Sequence, residues 1–476
     1  MPNGLELPSR GIRFLMIKSA FLPAVSLAVV SLAPAHLPAQ GLVPGPPMGW
    51  NSWDSYGLTI TEDQFKANAT VLASLRQYGW TYAVIDEGWF AADPDGAKVE
   101  DKHYLWNENG LLIPAPNRFP STANGAGFKP IADWVHAQGL KFGTHILRGI
   151  PRQVVDANLP IEGTSFHAAD AADTSSSCPW DQSNWGIKDN AAGQAYYDSV
   201  FKLYASWGLD FVKVDCISDR PYRPTEIRQI ATAIRKSGRS ILLSLSPGPT
   251  AVENAAEVAK YAQMWRITDD HWDGWELKKE TPTGFPVSLR DEFDILAKWS
   301  PYVNPGHWPD PDMLPEGWIG PHPGLGEERH TRLTADEQRT EFTLWAITRS
   351  PLILGGNLTR LDDLTRALIT NQDVLFVNQN ATDSRPVENT TLGPGFENVR
   401  IWRATINQPG ARGYAEYFAF FNLTDAPVTV RATWRQLGLD GAKHSAQNLW
   451  ESSSTKEGKE IGVALPPHGC ALYQVR

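Results

Sequence analysis

The sequence predicts an α/β protein: a (β/α)8 TIM barrel followed by a C-terminal antiparallel β-sandwich domain. Between residues 40 and 380, short apolar segments alternate eight times with helical segments at intervals of about 30 to 50 residues, as in barrels of parallel strands. From residue 381 to residue 476 the helical pattern stops, and strand-like segments follow one another with turns between them. Carboxylate side chains recur at the ends of the expected barrel strands, where the catalytic groups of such barrels lie.

Each expected barrel strand is a short apolar segment bounded by turn residues. The strands fall within residues 48–53, 81–87, 141–146, 208–218, 240–246, 262–268, 301–313 and 350–356. The clearest helices are expected at 61–78, with Thr61 as N-cap, and at 335–348. Two more are expected to end at residue 138 and near residue 207. Polar insertions rich in Gly and Pro extend to about residue 127 and cover 148–190, and the sandwich strands are expected at 398–406, 413–423, 428–434 and 462–476.

Residues 1–39 are expected to be a secretory signal peptide. Basic residues up to Lys18 precede an uncharged apolar segment at 19–33, and Ala33 and Ala35 form a cleavage site of the A-x-A type. Pro34 ends the apolar segment too early for a membrane span, and no other segment is apolar enough to be one. The mature protein is therefore expected to start near residue 40, to be secreted or periplasmic, and to have no membrane partner after cleavage.

The composition narrows the class of partner. The formal net charge of −10 over 476 residues leaves no basic patch, which argues against a nucleic-acid partner. The 19 Trp and 13 Tyr are either core residues or stacking platforms for sugars. Because several Trp lie near the ends of expected strands, the platform interpretation is favoured.

Three cysteines, Cys178, Cys216 and Cys470, allow one disulfide with one thiol left over in an exported protein. A bond between Cys178 and Cys216 would tie a loop of the second insertion to the strand that carries Asp215. The sequence contains neither a CxxC pair nor a cluster of His and Cys. We therefore expect no structural zinc, and the sequence implies neither another metal nor an organic cofactor.

The segment 208–218 ends in a charged pair, which is costly to bury on a strand unless the protein uses it. Side chains alternate faces along a strand, so Phe211, Lys213 and Asp215 share one side. One interpretation is a structural Lys–Asp ion pair that closes the strand. The other is that Asp215 is a catalytic carboxylate that Lys213 keeps ionised.

Charged side chains recur at the ends of the other expected strands. They are Asp86 and Glu87 after the second strand, His145 on the third, Lys213 and Asp215 on the fourth, Arg266, Asp269 and Asp270 on the sixth, and Asp310 and Asp312 after the seventh. Because the strand ends of a barrel share one rim, we expect these groups to meet at one mouth. Arg266 and Asp270 have the same parity, which points both toward the mouth and turns Asp269 away.

Two carboxylates with aromatic platforms favour glycoside hydrolysis, in which one carboxylate is the nucleophile and the other the general acid. Lys213 would keep Asp215 ionised, and the charge on Asp215 would raise the pKa of Asp270 and keep it protonated. The alternative is a metal-dependent hydrolase. That reading needs paired His at the strand ends, and only His145 is well placed.

Seven blocks of the barrel sequence form a recognisable ordered set. They are PPMGWNSWDSYG at 46–57, YAVIDEGW at 82–89, GLKFGTHI at 139–146, FVKVDC at 211–216, MWRITDDHWDGW at 264–275, PGHWPDPDML at 305–314 and LWAITRSPLILGGNL at 344–358. Together they resemble glycoside hydrolase family 27, which holds the melibiase-type α-galactosidases and the α-N-acetylgalactosaminidases. The resemblance spans residues 46–380 and implies a barrel followed by an antiparallel β domain.

The resemblance also implies a role for individual residues. Asp215 matches the nucleophile in the family's K-x-D block, and Asp270 matches the acid/base, four residues after the Arg of W-R. The positions implied to contact the sugar are Asp86 at the C4 and C6 hydroxyls, Lys213, Arg266, and Trp50 stacked on the ring. Asp310 and Asp312 lie in the family's D-P-D block and are implied either to support these residues or to contact the sugar.

Three positions depart from the α-galactosidases of the family. Glu87 replaces the second of two adjacent Asp, and His145 replaces a Tyr. Ser246 replaces a Glu that meets the C2 hydroxyl, and the α-N-acetylgalactosaminidases also have a Ser at this position. We predict a secreted, retaining exo-α-galactosidase that acts on galactose-containing oligosaccharides or glycans. The alternatives are a β-L-arabinopyranosidase or an α-N-acetylgalactosaminidase with the same machinery. An inactive sugar-binding module is disfavoured because both Asp215 and Asp270 are present.

Overall fold

A computed structural model describes residues 43–94, 104–282, 284–320, 327–388, 392–393, 395–407 and 414–476. The expected signal peptide at residues 1–39 lies outside these ranges. Within them, no helix combines the length and the apolar character needed to cross a membrane.

Strands and helices alternate up to residue 380, and a series of strands follows. The strands are β1 Met48–Asn51, β2 Tyr82–Ile85, β3 Lys141–Leu147, β4 Ile150–Pro151, β5 Ala172–Ser177, β6 Asn184–Ile187, β7 Phe211–Asp215, β8 Leu242–Leu245, β9 Met264–Arg266, β10 Trp308–Asp310, β11 Trp318–Ile319, β12 Arg329–His330, β13 Leu352–Leu354, β14 Thr382–Pro386, β15 Val399–Asn407, β16 Tyr414–Asn422, β17 Val428–Thr433, β18 Ala446–Asn448, β19 Glu460–Leu465 and β20 Cys470–Val475. The α-helices are α1 Trp53–Tyr56, α2 Glu62–Ser74, α3 Lys129–Ala137, α4 Arg152–Asp156, α5 Ala168–Ala171, α6 Ala191–Trp207, α7 Pro224–Ser237, α8 Ala255–Tyr261, α9 Leu289–Trp299, α10 Ala335–Ile347, α11 Asp363–Ile369 and α12 Gln372–Asn380.

The barrel predicted from the sequence is confirmed. Eight parallel strands lie side by side in the order β10-β9-β8-β7-β3-β2-β1-β13. The two edges of this sheet meet where Leu314, just after β10, pairs in parallel with Leu354 of β13. At that point the Leu314 N–H donates to the Ile353 carbonyl at 2.8 Å. The carboxyl ends of all eight strands therefore surround a single mouth.

Side-chain parity divides the barrel strands into an inner and an outer set. The inner set packs into a cluster of large side chains that includes Tyr82, Val84, Phe211, Leu242, Met264, Trp308, Met313 and Ile353. The outer set packs against the helices, as Trp50 of β1 does against Phe65 of α2, with ring centroids 6.2 Å apart. Because the inner cluster fills the barrel below the mouth, a ligand has access only from the carboxyl ends of the strands.

Helix α2 begins where the sequence predicts. Thr61 and Gln64 form a capping box, in which the Thr61 N–H donates to Gln64 Oε1 at 3.0 Å and the Gln64 N–H donates to Thr61 Oγ1 at 3.4 Å. The α-helix ends at Ser74, earlier than predicted, because residues Arg76–Tyr78 tighten into a 3-10 turn. Gly79, at φ 104°, ends that turn in the left-handed region that glycine adopts most easily.

The insertion at 148–190 contains a small sheet that the sequence did not predict. Strands β4, β6 and β5 pair antiparallel in that order. Buried Arg148 joins the insertion to the barrel, since its Nε donates to the Cys216 carbonyl at 2.7 Å and its Nη1 pairs with Glu226 Oε1 at 2.9 Å. A disulfide links Cys178 to Cys216, with the two Cα atoms 5.9 Å apart. The insertion is thereby fixed to the residue that follows Asp215.

The C-terminal sandwich is confirmed as well. One antiparallel sheet has the order β14-β15-β16-β20-β18, and β17 pairs with β19 in the other. The segment 462–476 was predicted as one strand, but it is divided between β19 and β20. The chain reverses between them at a turn in which the Gly469 N–H donates to the Pro466 carbonyl at 3.0 Å. The sandwich packs on the barrel helices through Phe421 against Phe293, with ring centroids 5.1 Å apart.

Candidate active site

Charged side chains from five barrel strands converge at the mouth. The strand register places His145 of β3 opposite Lys213 of β7, and Asp310 of β10 opposite Arg266 of β9. Ser246 follows β8 and is buried in the same rim, with its N–H donating to the Val214 carbonyl at 2.8 Å. The charged residues that the sequence assigned to one rim are therefore brought together by the fold.

Both carboxylate oxygens of Asp215 have hydrogen-bond partners. Oδ1 accepts the Cys216 N–H at 2.7 Å, and Oδ2 lies 3.2 Å from His145 Nε2. Burial alone would raise the pKa of Asp215, but the hydrogen bond and charge of His145, together with the charge of Lys213, outweigh it and hold this pKa below its ordinary value. Asp215 is therefore ionised at neutral pH, and 18% of its side chain is exposed to the mouth.

Lys213 makes its direct ion pair with Asp86. Its Nζ lies 3.0 Å from Asp86 Oδ2, an oxygen that also accepts from Asn51 Nδ2 at 2.6 Å. Burial would raise the pKa of Asp86, but the charges of Lys213 and His145 outweigh it and bring this pKa far below its ordinary value. The ionised state of Asp215 thus owes most to His145, and Lys213 contributes through its charge without a direct hydrogen bond.

The pKa values of His145 and Glu87 are both raised, in part by the charges of neighbouring carboxylates. Burial lowers the pKa of His145, but the charge of Asp86 and the hydrogen bond to Asp215 outweigh it, and the net shift is upward. Desolvation raises the pKa of Glu87 to about 7, with the charges of Asp181, Asp215 and Asp86 adding to it and His145 opposing it. Glu87 is therefore a carboxyl that titrates near neutrality at the mouth.

Asp270 is the most open carboxyl of the site, with 42% of its side chain exposed. Its Oδ1 accepts from Arg266 Nη2 at 3.2 Å. Desolvation by the surrounding protein raises the pKa of Asp270 to about 6, Arg266 opposes this shift, and the charges of Asp312 and Asp215 reinforce it. The charge of Asp215, which the sequence reasoning gave as the cause, is a smaller contribution than desolvation. Two carboxyls with pKa values shifted in opposite directions thus face one mouth.

Asp269 lies behind its neighbour. Its Oδ2 pairs with Arg220 Nη2 at 2.8 Å, and its Oδ1 accepts the backbone N–H of Asp270 at 3.1 Å. Only 7% of Asp269 is exposed. These contacts fit the parity argument, which turned Asp269 away from Arg266.

Asp310 and Asp312 lie beneath Arg266. Asp312 Oδ2 is 2.8 Å from Arg266 Nη2 and also accepts the His271 N–H at 3.0 Å. Asp310 Oδ1 accepts the Asp312 N–H at 3.0 Å. Desolvation raises the pKa of both carboxyls, which are buried. Their contacts are those of a support that orients Arg266.

The prediction that Trp50 stacks on a sugar ring is wrong. Trp50 is on the outer face of β1, has no exposed surface, and donates its Nε1–H to the Gly356 carbonyl at 2.8 Å. Trp53, three residues later, is the aromatic of this block at the mouth, with Lys213 Nζ 6.0 Å from its ring centroid. The neighbouring Asp54 was also missed by the sequence reasoning. Burial raises its pKa well above the ordinary value, and the charge of Asp312 adds to the shift.

The parity that placed Asp215 correctly would have found the error. Asn51, which contacts Asp86, and Gly49 occupy the inner face of β1, so Trp50 between them has to face outward. Within the described ranges, no group of three or more His, Cys, Asp or Glu is arranged to hold a metal ion.

Comparison with known proteins agrees with this geometry. The family model described as alpha galactosidase A matches residues 185–380, and the model of the alpha galactosidase C-terminal beta sandwich domain matches residues 398–475. A solved GH27 β-L-arabinopyranosidase from Geobacillus stearothermophilus is 42% identical, with 92% of this chain and 97% of that chain covered and a TM-score of 0.84. The chain belongs to glycoside hydrolase family 27. The resemblance noted in the sequence is thereby confirmed.

Curated relatives of the chain carry other substrate names. The α-galactosidase of Coffea arabica is 29% identical over 91% of this chain and 94% of its own length. The α-N-acetylgalactosaminidase of Gallus gallus is 25% identical over 91% of this chain and 94% of its own length. The chain is therefore similar to glycosidases whose names refer to three different sugars.

Proposed function

We propose that this family 27 protein is a retaining exo-glycosidase in which Asp215 is the nucleophile and Asp270 is the general acid/base. The opposite pKa shifts of the two carboxyls at one mouth support this assignment, since a nucleophile has to be ionised and an acid protonated in the same enzyme. A site at the carboxyl ends of the strands, with the barrel filled below it, favours removal of a single terminal sugar. An inactive sugar-binding module would not need the two opposed shifts.

The proposed reaction is a double displacement. In the first step Asp215 attacks the anomeric carbon while Asp270 gives its proton to the departing oxygen, and a covalent glycosyl–enzyme ester forms. In the second step Asp270, now ionised, takes a proton from a water that attacks the same carbon and releases Asp215. His145 and the Cys216 N–H position the nucleophile through its two oxygens. Arg266, held by Asp312, orients Asp270.

We propose that the preferred sugar is β-L-arabinopyranose, and the single observation that carries this choice is Glu87. Glu87 follows Asp86 directly and reaches one methylene further than the Asp of the family α-galactosidases, at the place where the family holds the galactose hydroxymethyl. L-Arabinopyranose matches galactose but lacks that group. One methylene is worth about 1–3 kcal/mol of discrimination, or roughly 10- to 200-fold. The 42% identity to a β-L-arabinopyranosidase supports the same choice.

An α-D-galactosidase, the substrate class predicted from the sequence, is the second candidate. Asp86, Lys213 and Arg266, implied to contact galactose, are present, and curated α-galactosidases match over 91% of this chain or more. Ser246 leaves room near C2 for an N-acetyl group, because a Ser replaces a longer charged Glu there.

The test is a comparison of kcat/KM for the aryl β-L-arabinopyranoside, α-D-galactoside and α-N-acetylgalactosaminide. Wild type is expected to prefer the arabinopyranoside, and Glu87→Asp should move the ratio toward galactoside by about tenfold or more. Glu87→Gln is the matched control, since it keeps the length and removes the charge, and it should leave the ratio close to that of wild type. A wild-type preference for galactoside, or an unchanged ratio in Glu87→Asp, would overturn the proposed sugar preference.

We also propose that the chain is secreted or periplasmic, on the basis of the signal-like pattern at residues 1–39. Full-length protein expressed in a Gram-negative host should be recovered from the periplasm or medium with an N-terminus near residue 40. Recovery in the cytoplasm with the leader intact would refute it.

A further inference from the structure

Trp180, in the insertion that the disulfide ties to the barrel, is an exposed aromatic side chain that the reaction just proposed does not use. Trp180 is 47% exposed. The other large hydrophobic residues with this degree of exposure in the described chain are Tyr302 and Tyr414, on the turn before β10 and at the start of β16. Exposed Trp is uncommon because its large apolar surface is stabilised by burial. The position of Trp180 therefore requires an explanation.

Covalent geometry limits how far Trp180 can lie from the nucleophile. The Cys178–Cys216 disulfide holds the two Cα atoms 5.9 Å apart, Trp180 is two residues from Cys178, and Asp215 directly precedes Cys216. With consecutive Cα atoms about 3.8 Å apart, the Cα atoms of Trp180 and Asp215 are separated by no more than about 17 Å. A Trp side chain and one sugar ring together span most of that distance.

The next residue shows which way this segment faces. Asp181 is buried, and its charge contributes to the raised pKa of Glu87, so its carboxylate lies close to the pocket. Its Oδ1 accepts the Ser183 N–H at 2.8 Å, while its buried Oδ2 has no hydrogen-bond partner within the described chain. A buried carboxylate oxygen left in this way is a ready acceptor for a ligand hydroxyl. Asp181 thus forms part of the pocket wall, and Trp180 stands at the rim beside it.

We propose that Trp180 is the platform of a subsite for the leaving-group sugar, with Asp181 Oδ2 as a hydroxyl acceptor at its edge. This inference rests on the proposed exo-glycosidase function. The barrel below the mouth is filled by large side chains, so only the terminal sugar fits inside and the remainder of the substrate has to lie along the rim. The C–H face of a pyranose is apolar and complements an indole ring, whereas its hydroxyl edge requires acceptors.

The platform is held in place before substrate arrives. The disulfide fixes its N-terminal side, and the Asp181–Ser183 turn fixes the other side. Asn184 at the start of β6 donates from Nδ2 to the Arg148 carbonyl at 3.1 Å, which joins the segment to the barrel. A rigid platform loses little conformational entropy on binding, so its contact with the sugar contributes to affinity almost in full.

The experiment compares two substrates of the same glycone on wild type and Trp180→Ala. One substrate is a disaccharide, and the other is the glycosyl fluoride, which has no leaving-group sugar. Trp180→Ala should lower kcat/KM for the disaccharide by about three- to tenfold and leave that for the fluoride within about twofold. Trp180→Phe should recover most of the loss because it keeps an aromatic face. Tyr302→Ala, at the opposite end of the barrel, is the control and should change neither value.

Equal losses on both substrates, or no loss on the disaccharide, would overturn the subsite. A change in oligomeric state in Trp180→Ala, measured by analytical ultracentrifugation, would overturn it too and assign the residue to contact with a second copy of the chain. Failure of wild type to hydrolyse the fluoride would instead refute the proposed function. In that case, calorimetric titration with the disaccharide still decides the subsite: weaker binding by Trp180→Ala supports it, and equal binding overturns it.

Discussion

The pH dependence of the reaction should follow Asp270, and Asp312 gives a means to move it. The proposed first step needs Asp270 protonated, so activity is present below its pKa and is lost as the pH rises through about 6. At pH 5 a carboxyl with a pKa of about 6 is about 90% protonated, whereas one at the ordinary value of 3.8 would be only about 6% protonated. The raised pKa therefore increases the competent fraction about 15-fold at that pH.

Asp312→Asn should lower the pKa of Asp270 for two reasons that act in the same direction. It removes a charge that disfavours the ionised form of Asp270, and it frees Arg266 from a 2.8 Å ion pair so that Arg266 attracts Asp270 more strongly. The basic limb of kcat/KM should therefore move to lower pH. The assay uses an alkyl glycoside, because a poor leaving group requires the proton.

Glu87 is another carboxyl of the site with a raised pKa, at about 7. Because interacting groups titrate as a set, the profile of Glu87→Gln has to be measured in parallel. The basic limb should persist in Glu87→Gln and shift in Asp312→Asn. Loss of the basic limb in Glu87→Gln would refute its assignment to Asp270. A basic limb that is unchanged or moves to higher pH in Asp312→Asn would refute it as well.

Two further predictions concern assignments within the site. Asp270→Ala should lose far more rate on alkyl than on activated aryl glycosides, and azide should restore part of the lost rate. Asp269→Ala should show no such dependence on the leaving group. The reverse pattern in steady-state kinetics would contradict the parity argument. Trp53→Ala should lower kcat/KM by about tenfold with little change in stability, whereas Trp50→Ala should lower the free energy of unfolding by about 3–5 kcal/mol, as measured by urea denaturation, because Trp50 is a core residue. Equal stability of the two variants would contradict the placement of Trp50 in the core and of Trp53 at the mouth.

Alternation of faces along short strands made much of the site predictable. Asp215 and Lys213 could be placed on the inner face of β7 because its apolar residues fix the phase of the strand. In β1 the same rule was available, but the block contains two Trp, and the prediction chose Trp50, which is buried on the outer face. The inner face there is marked only by Gly49 and Asn51, which do not look like core residues in the sequence.

The small sheet inside the insertion at 148–190 could not be predicted because its strands are short and mostly polar. β4 has two residues, and β5 is the sequence ADTSSS, which has no apolar alternation. Tertiary contacts stabilise this sheet, namely the hydrogen bond of Arg148 and the disulfide to Cys216. The size and cause of the pKa shifts could not be predicted either. Desolvation is the largest cause of the raised pKa of Asp270, and it depends on packing that the spacing of residues along the chain does not reveal.

Trapping the glycosyl–enzyme tests the central claim most directly. A 2-deoxy-2-fluoro or 5-fluoro glycosyl fluoride of the preferred sugar should inactivate the enzyme with a mass increase of one glycosyl unit per chain. After reduction of the disulfide and proteolysis, mass spectrometry should find that unit on Asp215. A label on any other residue, or turnover with an inverted first product and no label, would contradict a double displacement through Asp215.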